Sequence, residues 1–206
     1  MTTTAAVAVC NEALRLLGDA TISGFDDDSD LAESCAQLYQ TTIDGLLASY
    51  PWRFTLAKAR LARVAEAPLN EWRFAHALPT DRLAIRQMFA SEGINAPPLL
   101  HYEIFEARAL SNQEDLWCDY QRRVDAPFWP AAFRALARHA LAADLAVTVA
   151  NSASLAAEMR AVAFGPPGFG GQSGLMATAR RVDAQQQPPQ AITDFPLITA
   201  RFGGAR

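Results

Sequence analysis

The chain has 206 residues and a mass of 22.4 kDa, a length that favours one domain whose core needs no disulfide or metal support. Its 18 basic and 22 acidic residues give a net charge of −4, and the basic set contains a single lysine, Lys58. An acidic chain is not typical of proteins that bind nucleic acid mainly by releasing counterions. Three cysteines without CxxC spacing argue against a disulfide framework or a zinc ribbon, so we expect a reducing, intracellular folding compartment.

The N-terminal stretch has no basic n-region and carries Asn11, Glu12 and Arg15 among its apolar residues, so we expect no signal peptide. No apolar run approaches the length of a membrane span. The sequence therefore predicts a soluble protein without a membrane partner.

Two helices are predicted in the N-terminal quarter. Thr3 or Thr4 caps the first, which ends at Gly18. Asn11, Glu12 and Arg15 are expected on its outward side. Asp30 and Glu33 form a capping-box pattern at the start of the second, which runs to Pro51. Apolar residues recur at helical spacing in both helices: Val7, Cys10, Leu14, Leu17, Cys35, Leu38, Tyr39, Ile43, Leu46 and Leu47.

The middle of the chain alternates between large and small or polar residues, a pattern typical of strands. Strands are predicted over 72–78, 83–89, 99–105 and 116–124, with turns over 79–81 and 111–113. We expect a small, mostly antiparallel sheet inserted between helical pairs.

Beyond the sheet, Pro127 and Pro130 precede a predicted helix, and a bend at Asn151-Ser152 separates it from a second helix over 155–164. One face of the first helix is predicted to carry Phe133, Leu136, Ala140, Leu141 and Asp144. A Gly/Pro loop over 165–171, a helix over 175–184 and a Gln/Pro linker over 185–189 follow.

The predicted fold class is α+β. A helical bundle comprises residues 1–51 and 127–186, with two N-terminal and two to three C-terminal helices. A β-rich lobe is inserted over 52–126, and an extended C-terminal arm covers 187–206. The arm is apolar and either folds back on its own chain or docks on another.

Acidic residues before the second helix resemble the start of a calcium loop. Asp26, Asp28 and Asp30 match its first three ligand positions, but Leu31 and Gln37 replace its glycine and its glutamate. We interpret these acids as favourable charges at a helix N-terminus.

The sequence carries no pattern typical of a catalytic or metal site. His76, His101 and His139 have no metal-ligand spacing, and the glycine-rich 165–174 segment lacks the lysine of a phosphate-binding loop. No GxSxG elbow surrounds a serine, and Cys118 has no evident base. The pairs Arg122-Arg123 and Arg180-Arg181 are expected on solvated faces or in ion pairs between subunits. We predict no enzyme, with no catalytic, cofactor-binding or metal-binding residues.

Several sequence blocks together resemble the head-to-tail adaptor family of tailed bacteriophages, called tail tubular protein A in short-tailed phages. They are CNEALRLLGD from Cys10, YPWRF from Tyr50, EWRFAHALPTD from Glu71, DYQRRV from Asp119 and LARHALAADLA from Leu136. The motif residues, which we interpret as structural, are Cys10, Asn11, Glu12, Leu14, Gly18, Tyr50, Pro51, Trp52, Trp72, Leu78, Pro79 and Asp81.

The resemblance implies a structural virion protein that lies in the neck of the particle and is located in the host cytoplasm during assembly. Its subunits would form a ring, usually a dodecamer, between the portal protein above and a tail component below, and genomic DNA would pass through the lumen. The resemblance also implies that the C-terminal segment reaches the portal, through Ile192, Phe195, Pro196, Leu197, Ile198 and Phe202. The alternative is a DNA-binding packaging or regulatory protein of a phage.

Overall fold

The computed structural model describes residues 3–68, 71–93, 96–168 and 172–186, and the predicted α+β class is confirmed. The predicted arm over 187–206, with all its candidate portal-binding residues, lies outside the described residues. The helices are α1 (Thr3–Leu17), α2 (Asp30–Ala48), α3 (Ala131–Thr148), α4 (Ala153–Phe164) and α5 (Gly174–Ala184). The strands are β1 (Leu56–Arg60), β2 (Ala62–Arg63), β3 (Phe74–Ala77), β4 (Arg82–Phe89), β5 (Glu103–Phe105), β6 (Arg108–Ser111) and β7 (Trp117–Arg122).

The ends of the N-terminal helices follow local capping chemistry. Gly18 stops α1 with φ +75°, a conformation that glycine adopts without strain. The capping box predicted at Asp30 is wrong, because Ser29 is the extended residue whose Oγ accepts the N–H of Ala32 at 3.2 Å. Asp30 is instead the first residue of α2, where the helix dipole favours its negative charge.

Helix α3 is the centre of the helical unit, and α1, α2, α4 and α5 all pack against it. Four of the five residues predicted on its inner face are buried: Phe133, Leu136, Ala140 and Leu141. The fifth, Asp144, is half-buried and accepts hydrogen bonds from Thr42 of α2 and Arg160 of α4. Alanines on the remaining sides let the neighbouring helices approach closely: Ala137, Ala142, Ala143 and Ala146 are buried.

The lobe consists of two antiparallel sheets, with strand orders β1-β7-β4 and β2-β3-β6-β5. Sequence alternation did not predict β1, β2 or β6. The strand predicted over 99–105 is wrong in its first half: only Glu103–Phe105 is a strand, and Pro98 makes an isolated bridge to Phe89. The Leu99 N–H donates to the Met88 carbonyl at 2.7 Å, so the start of this stretch is bound to β4 and not to β6. The lobe core contains Leu61, Leu78, Met88, Ala109, Leu116, Cys118 and Tyr120.

The connections between lobe and helices belong to the helical core rather than to the lobe. Trp52, Val124 and Ala126, which fall within the predicted 52–126 lobe, are buried in the same cluster as the helices. Strands occupy the narrower range from Leu56 to Arg122.

Candidate interaction surfaces

Motif residues of α1 bind the loop that follows this helix and the neighbouring helix α3. Asn11 clamps the following loop, because its Nδ2 donates to the Ile22 carbonyl and its Oδ1 accepts the Ile22 N–H, both at 2.9 Å. Glu12 accepts two hydrogen bonds from Arg134 of α3, at 3.1 Å from Nε and 2.5 Å from Nη2. Cys10 and Leu14 are fully buried. Asn11 and Glu12, expected to face outward, are half-buried and make specific contacts.

The Tyr50-Pro51-Trp52 motif begins an aromatic cluster at the end of α2. Trp52 is fully buried, and its Nε1 donates to the Leu46 carbonyl at 2.8 Å. Its ring meets Phe133 edge-on at a centroid distance of 5.0 Å and Tyr50 at 4.8 Å. Edge-to-face packing of this kind stabilises a core beyond its buried area, so the motif is a structural feature of the helical unit.

The motif residues of the lobe also act structurally, apart from one. Leu78 is buried in the lobe core, the Pro79 carbonyl accepts Arg82 Nη1 at 2.9 Å, and the Asp81 carbonyl accepts the Arg123 N–H at 3.3 Å. Trp72 differs, since it is half-buried and its Nε1 donates to Glu103 Oε2 at 2.9 Å at the surface.

A buried amide joins the lobe to the helices. Gln121 of β7 is fully buried, and its Nε2 donates to the carbonyls of Tyr50 at 2.6 Å and Leu47 at 3.1 Å, with Thr55 Oγ1 also at 3.1 Å. Arg86 of β4 donates to its Oε1, and burial lowers the pKa of that guanidinium. Gln121 lies in the DYQRRV block, but the sequence indicated no role for it, because that role depends on two elements that only the fold brings together.

Two arginines of the Arg-Arg pairs, Arg123 and Arg180, are placed differently from the expectation. Arg123 makes an intramolecular pair with both oxygens of Asp44 on α2, rather than facing solvent or another subunit. Arg180 lies over the ring of Tyr50 at 5.2 Å from its centroid. Arg122 and Arg181 are exposed, as predicted.

Asp27 orders the acidic loop before α2, although it is not one of the three acids that match the calcium-loop pattern. Its carboxylate accepts the Ser23 N–H at 2.7 Å, the Ser23 hydroxyl at 2.8 Å and the Gly24 N–H at 3.2 Å. These bonds hold the pKa of Asp27 below its usual range. Within the described ranges, no group of three His, Cys, Asp or Glu residues could hold a metal ion.

The buried thiols and histidines make local contacts. Cys10 of α1 and Cys35 of α2 are hydrogen-bonded to each other, and this contact with burial raises the pKa of Cys10. Burial raises the pKa of Cys118 to about 11, so this thiol is a poor nucleophile. His76 Nε2 lies 3.0 Å from the Glu114 carbonyl, and His139 Nδ1 lies 2.8 Å from the Ala135 carbonyl.

Helix α4 has an outer face of small and apolar residues. Of its 12 residues, Ala156 and Ala163 are buried, and both point to the same side. The opposite side carries one charged residue, Glu158, among small or apolar neighbours at helical spacing: Ser154, Ala157, Ala161 and Val162. Val162 is 41 % exposed. This surface, which we call the α4 outer face, can accept a closely packed neighbour.

A second surface lies at the edge of the lobe. Strand β5 pairs with β6 on one side and with no described strand on the other. Ile104 and Phe105 in it are 47 % and 56 % exposed. Beside it is a cleft of about 920 Å³ lined by Glu66, Ala67, Pro68, Glu71, Trp72, Glu103, Phe105, Glu106, Arg108 and Leu110. Neither the edge nor the cleft was predicted, since β6 was missed and the β5 hairpin depends on it.

Comparisons with known proteins give no assignment: no family model matches the chain, and no curated protein matches it. Among the residues that the structure describes, no helix is both long and apolar enough to cross a membrane.

Proposed function

We propose that the chain is a structural head-to-tail adaptor of a tailed bacteriophage, whose copies pack side by side into a ring between portal and tail. The proposal rests on the sequence blocks that resemble this family and on one structural observation, the α4 outer face. Subunits of a ring need flanks that pack closely over a small area, and small side chains allow helices to approach each other.

The α4 outer face supports lateral packing because the core of the subunit does not use it. Arg160, on the flank of α4, is held by Asp144 of α3 at 2.9 Å, so the helix is fixed against α3 by its inner side. Ala157 and Val162 remain exposed. A neighbouring copy that covered them would remove apolar area from water without burying charges other than Glu158.

The charge arrangement favours the adaptor over the DNA-binding alternative. Seven of the 18 basic side chains pair with carboxylates of the same chain among the described residues, and Arg123–Asp44 and Arg134–Glu12 are the least exposed of these pairs. Those seven cations are less available to phosphates than unpaired ones. A net charge of −4 instead suits a wall along which DNA slides.

The lateral contact is tested by a photo-reactive benzophenone amino acid placed at Ala157 in assembled particles. We expect irradiation to produce covalent dimers and higher multiples of the chain. The matched control carries the same group at Thr80, which is exposed in the turn before β4, and should give no such multiples. Particles that contain the chain but yield only monomer from position 157 would contradict the lateral packing.

The arm is tested separately. We propose that residues 192–202 bind the portal, so a chain truncated after Pro189 should keep the melting temperature of the full chain and lose attachment to portal-bearing capsids. The control truncates after Ala205, beyond the proposed contact residues, and should attach normally. Full attachment by the shorter chain would remove the arm from the proposal.

A further inference from the structure

The edge of the four-stranded sheet offers main-chain groups to a partner. Phe105 and Arg108 flank the two-residue turn Glu106-Ala107 and face each other across the hairpin. They therefore form a hydrogen-bonded pair, and the N–H and carbonyl of the next residue back, Ile104, point away from β6. An exposed edge with an exposed apolar side chain is a template for a further strand.

The turn of the hairpin is strained. Glu106 and Ala107 have φ values of +47° and +64°, a conformation that favours Asn and Gly. Two residues with side chains in this region cost folding energy and persist where the surroundings require them. Here the turn places Glu106 beside Glu103 at the rim of the cleft.

The cleft lies on the face of the sheet that Glu103 and Phe105 share, because residues two apart in a strand point to the same side. Four glutamates line it against one arginine, Arg108, whose Nη1 is 3.6 Å from Glu66 in an exposed pair. Trp72 closes one wall and donates to Glu103. The surface therefore combines a strand edge, aromatic walls and an excess of three negative charges.

We propose that this edge and cleft dock an extended, basic segment of another protein by strand addition to β5. Main-chain bonds to Ile104 align the segment, and its alternate side chains opposite Glu103 and Phe105 enter the cleft. Arginine or lysine at these alternate positions meets the glutamates, and arginine also stacks on Trp72 or Phe105. The partner is thus recognised by basic residues spaced two apart in an unstructured or edge-strand segment.

The probe is a synthetic peptide, acetyl-Thr-Arg-Ile-Arg-Thr-Arg-Thr-amide, titrated into the full chain in a calorimeter at low ionic strength. We expect saturable binding, and we expect it to weaken when the three arginines are replaced by glutamates. In antiparallel addition the peptide residue opposite Ile104 donates to it, so a peptide with proline in place of the isoleucine and the central threonine, which keeps all three arginines, should also bind more weakly. No binding of the basic peptide up to millimolar concentration would overturn the proposal.

Three variants of the protein separate the contribution of the acidic side chains from that of the main-chain hydrogen bonds. Glu103→Lys with Glu106→Lys should weaken binding by about tenfold or more, since it reverses charge at the rim. Ile104→Pro removes the outward N–H without touching a β6 bond and should weaken binding with the charges intact. Glu92→Lys, an exposed acid outside this cleft, is the control and should bind like the parent.

All three variants should melt at the parent temperature, which shows that the lobe is folded. Equal affinity of the parent and the Glu103→Lys/Glu106→Lys variant, with both folded, would contradict docking at this cleft. Concentration-dependent dimerisation of the parent that Ile104→Pro abolishes would show that a second copy occupies the edge, and would also contradict it.

Discussion

The helical unit and the β lobe are stabilised in different ways, although they belong to one chain. The helical core is continuous around α3 and contains the aromatic cluster of Trp52, Trp129 and Phe133. The lobe core contains seven buried apolar residues among those described, of which Met88, Ala109 and Leu116 are the most completely enclosed. A core of that size buries too little apolar area to stabilise a separate domain.

Contacts with the helical unit compensate for the small core of the lobe. Gln121 binds the end of α2 and is itself held by Arg86, and Arg123 binds Asp44 of the same helix. At the lobe surface, Lys58 and Arg60 lie over the rings of Phe89 and Trp117. We therefore expect the helical unit to fold without the lobe, whereas the lobe depends on its contacts with the helices.

The largest expected effect is the loss of the aromatic centre. Phe133→Ala removes a ring that meets Trp52, Phe54 and Trp129 at centroid distances of 5.0 to 5.2 Å. We expect a destabilisation of about 3–5 kcal/mol that unfolds the helices and the lobe together. Urea unfolding followed by helical circular dichroism measures it.

Met88→Ala is the matched change in the lobe, where Met88 is fully buried. Hydrogen exchange should show lost protection in the strands while α1 to α3 remain protected. If Met88→Ala exposed the helices as readily as Phe133→Ala does, the two regions would form one cooperative unit and the comparison would fail.

Sequence periodicity predicted the helical unit well because each helix carries its own signal. Gly18, the apolar spacing of α1 and α2, and the Asn151 bend are local features, and Asn151 does adopt φ +44°. The lobe was harder, since β6 has four residues and β1 five, too few for alternation to be distinctive. The docking edge depends on which strand ends the sheet, and pairing between distant strands leaves no local pattern.

The second largest effect concerns the attachment. Gln121→Leu leaves the carbonyls of Leu47 and Tyr50 and the guanidinium of Arg86 without their amide partner in a buried site. We expect a loss of about 2–4 kcal/mol, because each unsatisfied buried polar group is costly. Thermal unfolding measures it, and hydrogen exchange should locate the loss at β4, β7 and the end of α2.

Gln113→Leu is the control for this change, since Gln113 is exposed in the turn before β7 and should alter stability by less than about 0.5 kcal/mol. Equal stability of Gln121→Leu and the parent would mean that the lobe is attached by other contacts.

A buried acid tests how α5 is joined to the helical core. Asp183 is 3 % exposed, and its Oδ1 accepts the Arg53 N–H at 3.0 Å. Burial raises the pKa of Asp183, and its contacts with Arg53 offset this only in part. The stability that this group contributes is therefore greatest below its unfolded pKa, and it is lost as the pH rises through the higher folded pKa.

Asp183→Asn keeps an acceptor for Arg53 and removes the charge. We expect its stability relative to the parent to increase between pH 4 and pH 7, because only the parent loses stability as its buried carboxyl ionises. Urea unfolding of both proteins at pH 4 and pH 7 measures this change in relative stability. The contributions of the other carboxylates are the same in both proteins and cancel. A relative stability that falls over this interval would show that Asp183 is stabilised as the anion.

The smallest effects compare one ion pair from each region. Glu12 and Arg134 join α1 to α3, and their side chains are 28 % and 37 % exposed, whereas Lys58 and Asp119 pair across β1 and β7 with Lys58 79 % exposed. Double-mutant cycles with alanine should give a coupling of about 1 kcal/mol for the helical pair and less than about 0.5 kcal/mol for the strand pair. In 1 M salt the strand pair should lose most of its coupling, whereas the partly buried helical pair, which salt screens less, should keep a larger share of its own. If the strand pair were coupled as strongly as the helical pair, surface charges would stabilise the lobe beyond what its small core supplies.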